Sequence, residues 1–458
     1  MSNYDIKAIL YDQNPWWLKP DFVLEEAKYP RRDIFYRIEN QLNLNQISAI
    51  VGLRRTGKTT VLKQIIGNLL SKKQIPSRNI LFFSFDQTLV ERKIEFLEAI
   101  ITIYLEQILS KKVWEIDQQV YMLLDEIQYV PNWQVVLKRF YDQTKKIKFI
   151  ISGSASLFVK EKSKESLAGR IFIFEIPVLS FREYLRIKKA ELSLPLFTFK
   201  EFNLKPIEEL SSAFSTKITG LFEDYIIRGQ FPEIITQNMD DKQVKQYLID
   251  SILAKILEVD IPLYFNIKRV DEIRSIYRIA AVETGNQIEF DTIARDVGIS
   301  RNTVADYFNC LEKAFLINIL YNYTKSIRKG LRTIKKGYAT STNFSAMLNN
   351  ITESSPQFKE WCGHYVETYV KNILHNEYES VFFVKRRDKE LDFLIKSTGE
   401  LIPVEVKYTN KITQKEIKNL LYFMEQLGIN RGYVLTKASV EMKRINDKEI
   451  VFVPVWML

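Results

Sequence analysis

The chain has 458 residues, 46% hydrophobic and 27% charged, with a formal net charge of +10; this is too long for one ordinary domain, suggests about three, and is globular in composition. The basic surplus serves solubility or favours a polyanionic partner over an acidic protein surface. Cys310 and Cys362 lack any CxxC spacing, which excludes a disulfide framework or a zinc site and fits a reducing cytoplasm, while two histidines, His364 and His375, turn acid–base and metal chemistry toward carboxylates and lysine. Met1-Ser2-Asn3-Tyr4-Asp5 has no signal-peptide character, and no apolar run approaches the roughly 18 residues of a membrane span, so a cytoplasmic protein without membrane contact is expected.

In chain order, Asn14-Pro15-Trp16-Trp17 and Arg31-Arg32 form a lead-in before a helix at Asp33–Ile38. The apolar run Ile47–Val51 then meets Gly52, Leu53, Arg54, Arg55, Thr56, Gly57, Lys58 and Thr59, and Thr60 opens a helical pattern. That order is strand, glycine-bounded loop, helix. Backbone N–H groups turned inward and the positive end of a helix would grip phosphate, with Lys58 at the terminal phosphates and Thr59 on Mg²⁺; the alternative is a basic turn. Asn79–Asp86 and Val120–Glu126 are short apolar runs ending on acids, which predicts buried parallel strands. Asp125 then sits at the carboxyl end of a central strand, placed to hold Mg²⁺, with Glu126 free to orient and deprotonate water. Lys148–Ser152 is a further strand; Ser154 after it is a γ-phosphate sensor or a turn residue. Arg170, before the strand Ile171–Glu175, is a cationic finger in cis or from a neighbouring subunit, or a surface arginine.

Leu-Leu-Asp-Glu-Ile-Gln at 123–128 with Trp133, Ile-Ser-Gly-Ser at 151–154, Leu-Ala-Gly-Arg at 167–170, Leu-Ser-Phe-Arg-Glu-Tyr at 179–184 and Arg228-Gly229-Gln230-Phe231-Pro232-Glu233 join the phosphate loop in a set. Together they resemble the bacterial and archaeal AAA-type ATPases that carry a C-terminal domain of unknown function. The resemblance covers nearly the whole chain. It implies a nucleotide-dependent motor or switch with an α/β P-loop core (residues 1–185), a helical lid (186–285) and a winged helix (286–345), binding ATP and Mg²⁺ as a homo-oligomer.

Residues 207–257 show helical spacing, broken at Gly229 and Pro232, as a lid would. Asp291–Ser300 reads as a capped helix, a glycine turn and a second cap; the next helix places Val304, Phe308, Leu311 and Phe315 on one face. This helix-turn-helix presents Arg301, Asn302 and Thr303 to DNA. Six cations, Lys325, Arg328, Lys329, Arg332, Lys335 and Lys336, follow as a wing that tracks phosphates or as a solvated face.

After the Asn-, Ser- and Thr-rich stretch 341–355, residues 350–458 read as helix, three strands, helix and strand. Strand alternation sends Glu405 and Lys407 to one face, and Asp392, a hairpin away, meets Glu405 across the ladder. Two carboxylates on a divalent cation with a lysine to orient or deprotonate water make a phosphodiester-cleaving site, and Glu367 adds a fourth group. The block resembles the restriction-endonuclease superfamily with its αβββαβ core, although Leu-Asp-Phe stands where Pro-Asp is usual. The expectation is an ATPase acting on DNA through a nuclease-like domain that uses Mg²⁺ or Mn²⁺, with branched DNA such as a Holliday junction as a substrate class. The alternatives are a nucleotide-switched regulator whose winged helix and inactive nuclease fold bind DNA or a protein, and a membrane transport ATPase, which the lack of hydrophobic spans disfavours.

Overall fold

The computed structural model describes every residue except 1, 2, 20, 87–91, 155–166, 325–332 and 353, and the chain divides into two compact units, Met1–Pro177 and Val178–Leu458. The first boundary falls at 177, close to the expected 185. The three further segments expected after it share one unit.

The first unit is built on five parallel strands, β1 (Ile47–Val51), β2 (Ile80–Ser84), β3 (Val120–Asp125), β4 (Ile147–Gly153) and β5 (Ile171–Glu175), in the order β2-β3-β4-β1-β5. The runs are short, β-branched or aromatic, and buried on both faces in β1, β3 and β4, as parallel strands between helical layers are. β2 is an edge strand, and the lead-in seals that edge. Asn14 Nδ2 donates to the Phe82 carbonyl (2.9 Å) and Asn14 Oδ1 accepts from the Phe82 N–H (2.7 Å). Gln13 Oε1 accepts from Ser84 N–H (2.8 Å), and the indoles of Trp16 and Trp17 donate to the Ile80 carbonyl. Side chains thus do what a sixth strand would do, which removes the hazard of an open edge.

The second unit carries eight strands: β6 (Ile317–Asn322), β7 (Lys335–Ala339), β8 (Val381–Arg386), β9 (Lys389–Ser397), β10 (Glu400–Lys407), β11 (Arg431–Thr436), β12 (Glu441–Ile445) and β13 (Lys448–Pro454). They form a single sheet in the order β12-β13-β11-β10-β9-β8-β6-β7. Helix Phe358–Glu377, strands β8 to β10, helix Lys418–Leu427 and β11 follow one another as the sequence predicts. The two helices Phe290–Val297 and Arg301–Lys313 precede the antiparallel pair β6–β7, and Ser300 caps the second through the Thr303 N–H. The first begins one residue before Asp291, with Glu289 in the cap position and no side-chain cap bond. The pair β6–β7 is also not a free-standing wing. β6 runs parallel to β8 at Tyr321–Phe382 and Asn322–Phe383, so the hairpin extends the C-terminal sheet.

Thr342–Leu348 is a helix whose Thr342, Asn343 and Ser345 are fully buried. It serves the long helix Leu204–Arg228, which ends at Gly229 where the sequence places a break. Asn343 Nδ2 donates to the carbonyls of Tyr225 (3.2 Å) and Ile226 (2.7 Å), and Asn343 Oδ1 accepts from the Gln230 N–H (2.8 Å). The Ile226 carbonyl at this helix end is satisfied from a segment more than a hundred residues later, while the Tyr225 carbonyl also accepts the Gly229 N–H.

Candidate functional site

In the first unit the loop between β1 and helix Lys58–Ser71 has the backbone a phosphate cradle needs. Gly52 (φ 152°) and Gly57 (φ 95°) both lie at positive φ, and a Cβ on Gly52 would collide with the Ile176 backbone. Thr56 Oγ1 closes the turn on the Leu53 carbonyl at 2.9 Å, and the buried Arg32 donates to the Thr56 and Pro177 carbonyls. Arg32 therefore braces the loop, a role the pair Arg31-Arg32 did not announce. Lys58 is buried; its Nζ donates to the Leu53 carbonyl (2.9 Å) and the Gly52 carbonyl (3.3 Å), and lies 3.8 Å from Glu126 Oε1. Arg54 reaches the Tyr129 hydroxyl at 3.0 Å, Arg55 is exposed, and Thr60 is the third residue of the helix.

Asp125 closes β3 beside this loop. Thr59 Oγ1 donates to its Oδ2 at 2.9 Å, Ser84 Oγ to the same oxygen at 3.3 Å, and Ser152 Oγ to its Oδ1. A hydroxyl and a carboxylate side by side are hard oxygen donors of the kind Mg²⁺ takes. Burial, then the neighbouring Glu126 charge, push the Asp125 carboxyl up to about 6, against the hydrogen bonds from Ser152 and Thr59 and the charge of Lys58. Glu126 stands in the left-handed region (φ 52°), which turns its side chain out of strand alternation; Gln128 donates to Oε2 and Lys58 faces Oε1. Ser154 is buried one residue past β4, and Gly153 pairs with Val51, so it shares an edge with the loop. The serine that touches Asp125 is Ser152, which the sequence reading passed over as a strand residue.

Arg170 lies elsewhere. Its carbonyl accepts from Ile47 N–H at the amino end of β1 and its guanidinium pairs with Asp142 at 2.9 Å. The loop begins at the other end of that strand, roughly 15 Å away at about 3.3 Å per residue. The reading of Arg170 as a finger in cis is thus corrected: sheet polarity sets it at the opposite edge of its own unit.

In the second unit Asp392, Glu405 and Lys407 converge. Val404 pairs with Phe393 across β10–β9, and at the next step Asp392 Oδ2 accepts the Val406 N–H at 2.8 Å. Glu405 is buried; Lys407 Nζ donates to its Oε1 at 2.7 Å, and its Oε2 has no hydrogen-bond partner. Burial, then the charges of Glu405 and Glu367, hold the Asp392 carboxyl well above the usual carboxylate range, and burial raises Glu405 as well. Burial alone would lower Lys407, but Glu405 and Asp392 raise it, so it is an ammonium rather than a base. Glu367 is in the same field but is engaged: its Oε1 accepts from the Tyr338 hydroxyl (2.7 Å) and from Lys336 Nζ (3.1 Å). Among the described residues no group of three carboxylate, histidine or cysteine side chains is arranged to hold a metal.

Of the residues expected at DNA, Arg301 and Asn302 are exposed at the start of their helix, and Thr303 is partly buried there, bonded to Ser300. Lys335 is half-buried over the rings of Phe290 and Tyr321. Lys336 does not face outward. It is 5% exposed and pairs with Glu390 at 2.7 Å as well as with Glu367, because β7 is covered once it joins the sheet. Lys325, Arg328, Lys329 and Arg332 lie outside the described residues. Among the described residues no helix is long and apolar enough to cross a membrane.

Residues 44–185 match the family described as AAA domain, residues 219–355 a domain of unknown function (DUF8612), and residues 362–458 a second one (DUF4143). An uncharacterized protein of Methanocaldococcus jannaschii, MJ1544, is 28% identical over 95% of this chain and 92% of its own length. An uncharacterized protein of Haemophilus influenzae is 24% identical over 95% of this chain and all of its own. Among solved structures, Cdc6p from Pyrobaculum aerophilum aligns with 73% of this chain and 96% of its own at 13% identity and a TM-score of 0.29.

Proposed function

We propose, for a chain whose residues 44–185 match the AAA-domain family and whose residues 362–458 match DUF4143, that ATP binding and hydrolysis in the first unit drive an action of the second on DNA. The observation that carries the first half is the constellation of Lys58, Thr59, Asp125 and Glu126 around one glycine-bounded loop. Lys58 leaves the Gly52 and Leu53 carbonyls for the terminal phosphates, Thr59 and Asp125 hold Mg²⁺, and Glu126, released from Lys58, orients the attacking water. Mg²⁺ supplies neutralisation of the phosphate charge. Ser154 senses the terminal phosphate from β4, and Arg170 stabilises charge in a neighbouring subunit of a homo-oligomer.

The second half is a metal-dependent phosphodiester cleavage by Asp392, Glu405 and Lys407, on DNA brought by Arg301, Asn302, Thr303 and Lys335. The unpartnered Glu405 Oε2 fits a divalent cation, Mg²⁺ or Mn²⁺, which supplies Lewis acidity when bound. Asp392 and Glu405 hold it, and the Lys407 ammonium steadies the charge developing on the phosphate. Branched DNA such as a Holliday junction is the substrate class we favour. A second reading, in which the C-terminal fold binds DNA or a protein without cutting, is favoured by one observation: Glu367 is already bound by Tyr338 and Lys336, which leaves only two carboxylates for a metal.

Purified protein is expected to hydrolyse ATP with Mg²⁺ and to lose that activity in Lys58→Ala. A panel of duplex, single-stranded and four-way DNA, with and without ATP, is expected to show cleavage by wild type and none by Asp392→Ala. Cleavage unchanged in Asp392→Ala sinks the nuclease half, and binding without cleavage selects the second reading.

A further inference from the structure

Lys336 is a buried cation in the wrong place for a wing and in a telling place for the carboxylate cluster. It comes from β7, yet its ammonium sits between Glu367 of helix Phe358–Glu377 (3.1 Å) and Glu390 of β9 (2.7 Å), two residues before Asp392. The site thus brings four carboxylates, Glu367, Glu390, Asp392 and Glu405, against three ammonium groups, Lys336, Lys385 and Lys407. Lys336 takes the two that flank Asp392, and Tyr338 fixes Glu367 from the same strand. Glu405 Oε2 alone is buried without a hydrogen-bond partner in this cluster, among the described residues.

We infer that the Lys336 ammonium occupies the position a second divalent cation would take, so that the Asp392–Glu405 site holds one cation per chain and not two. The inference rests on the metal site proposed above. Carboxylates this close and this buried need positive charge. An ammonium supplied by the chain itself meets that need for Glu367 and Glu390 with two short contacts, and it bars both from coordinating a metal. With Glu367 and Glu390 taken by Lys336, Asp392 and the open oxygen on Glu405 leave room for one ion. Lys336 is on this view a positioning residue, because it acts through Glu367 and Glu390 and not on the substrate.

The test is Mn²⁺ alone, titrated into nucleotide-free full-length chain carrying Asp125→Asn to silence the first unit, with free and bound ion followed by electron paramagnetic resonance. One Mn²⁺ per chain is expected, lost in Asp392→Asn. Lys336→Met is expected to bind two, with the exchange-broadened spectrum of a coupled pair, and Lys336→Arg to stay at one. Two ions in the Lys336-intact chain, or one in a folded Lys336→Met chain, overturn the inference. No Mn²⁺ uptake, or uptake indifferent to Asp392→Asn, instead overturns the metal site beneath it. Should Lys336→Met fail to fold, the count in the Lys336-intact chain, one against two, decides the matter.

Discussion

Asp125 shows how much chemistry a single carboxyl can carry. Burial and Glu126 raise it to about 6, so it must shed its proton before it can hold Mg²⁺, and ionisation is complete only above that value. Mg²⁺ affinity in the presence of nucleotide is therefore expected to fall as the pH drops through about 6, by roughly tenfold for each further unit. Glu126→Gln removes a raising charge and is expected to move that fall to lower pH, which a Mg²⁺ titration monitored by a fluorescent nucleotide would read. Asn14 makes a simpler case. Asn14→Ala strips three hydrogen bonds, to Leu10 and twice to Phe82, and is expected to lower the unfolding free energy of the first unit by about 2–3 kcal/mol, measured by denaturant titration. Lys58, Thr59, Asp125 and Glu126 were legible in the sequence because chemistry ties them to a loop and a strand end. Ser152 and Arg32 were not, because a serine inside a strand and an arginine before a helix carry no local signal of the partner they find across the fold.

At the scale of elements, strand runs were readable within one or two residues where the apolar pattern was continuous, as in β3 and β4. The helix Thr342–Leu348 was hidden by composition: Asn, Ser and Thr interrupt the apolar period that marks a helix, yet here they are buried to satisfy another helix's end. Asn343→Ala is expected to cost about 1–3 kcal/mol, because the buried Gln230 N–H loses its acceptor, whereas the Tyr225 and Ile226 carbonyls keep the Gly229 N–H and the Thr342 hydroxyl. Thermal unfolding of the variant followed by circular dichroism would check it. Lys336 was misread for the related reason that a run of cations looks like one surface, whereas strand alternation sends neighbours to opposite sides: Lys335 over the aromatic rings, Lys336 into the acids.

At the scale of the whole molecule, the sequence could count segments but not say which of them share a core. Residues 178–458 form one unit, in which β6 pairs with β8 and Glu223 of the long helix accepts from Tyr408 and Lys437. A fragment ending near residue 345 is accordingly expected to aggregate, since it bares the β6 edge, whereas 178–458 is expected to stay monodisperse; size-exclusion chromatography of the two distinguishes the outcomes. The first sheet has a different asymmetry. Its β2 border is closed by an asparagine and two indoles, while β5, at the other border, leaves Phe172 and Ile173 38% and 49% exposed. A second copy can lengthen that sheet from its β5 side only, so joining through the first sheet by strand addition stops at a pair related by a twofold axis.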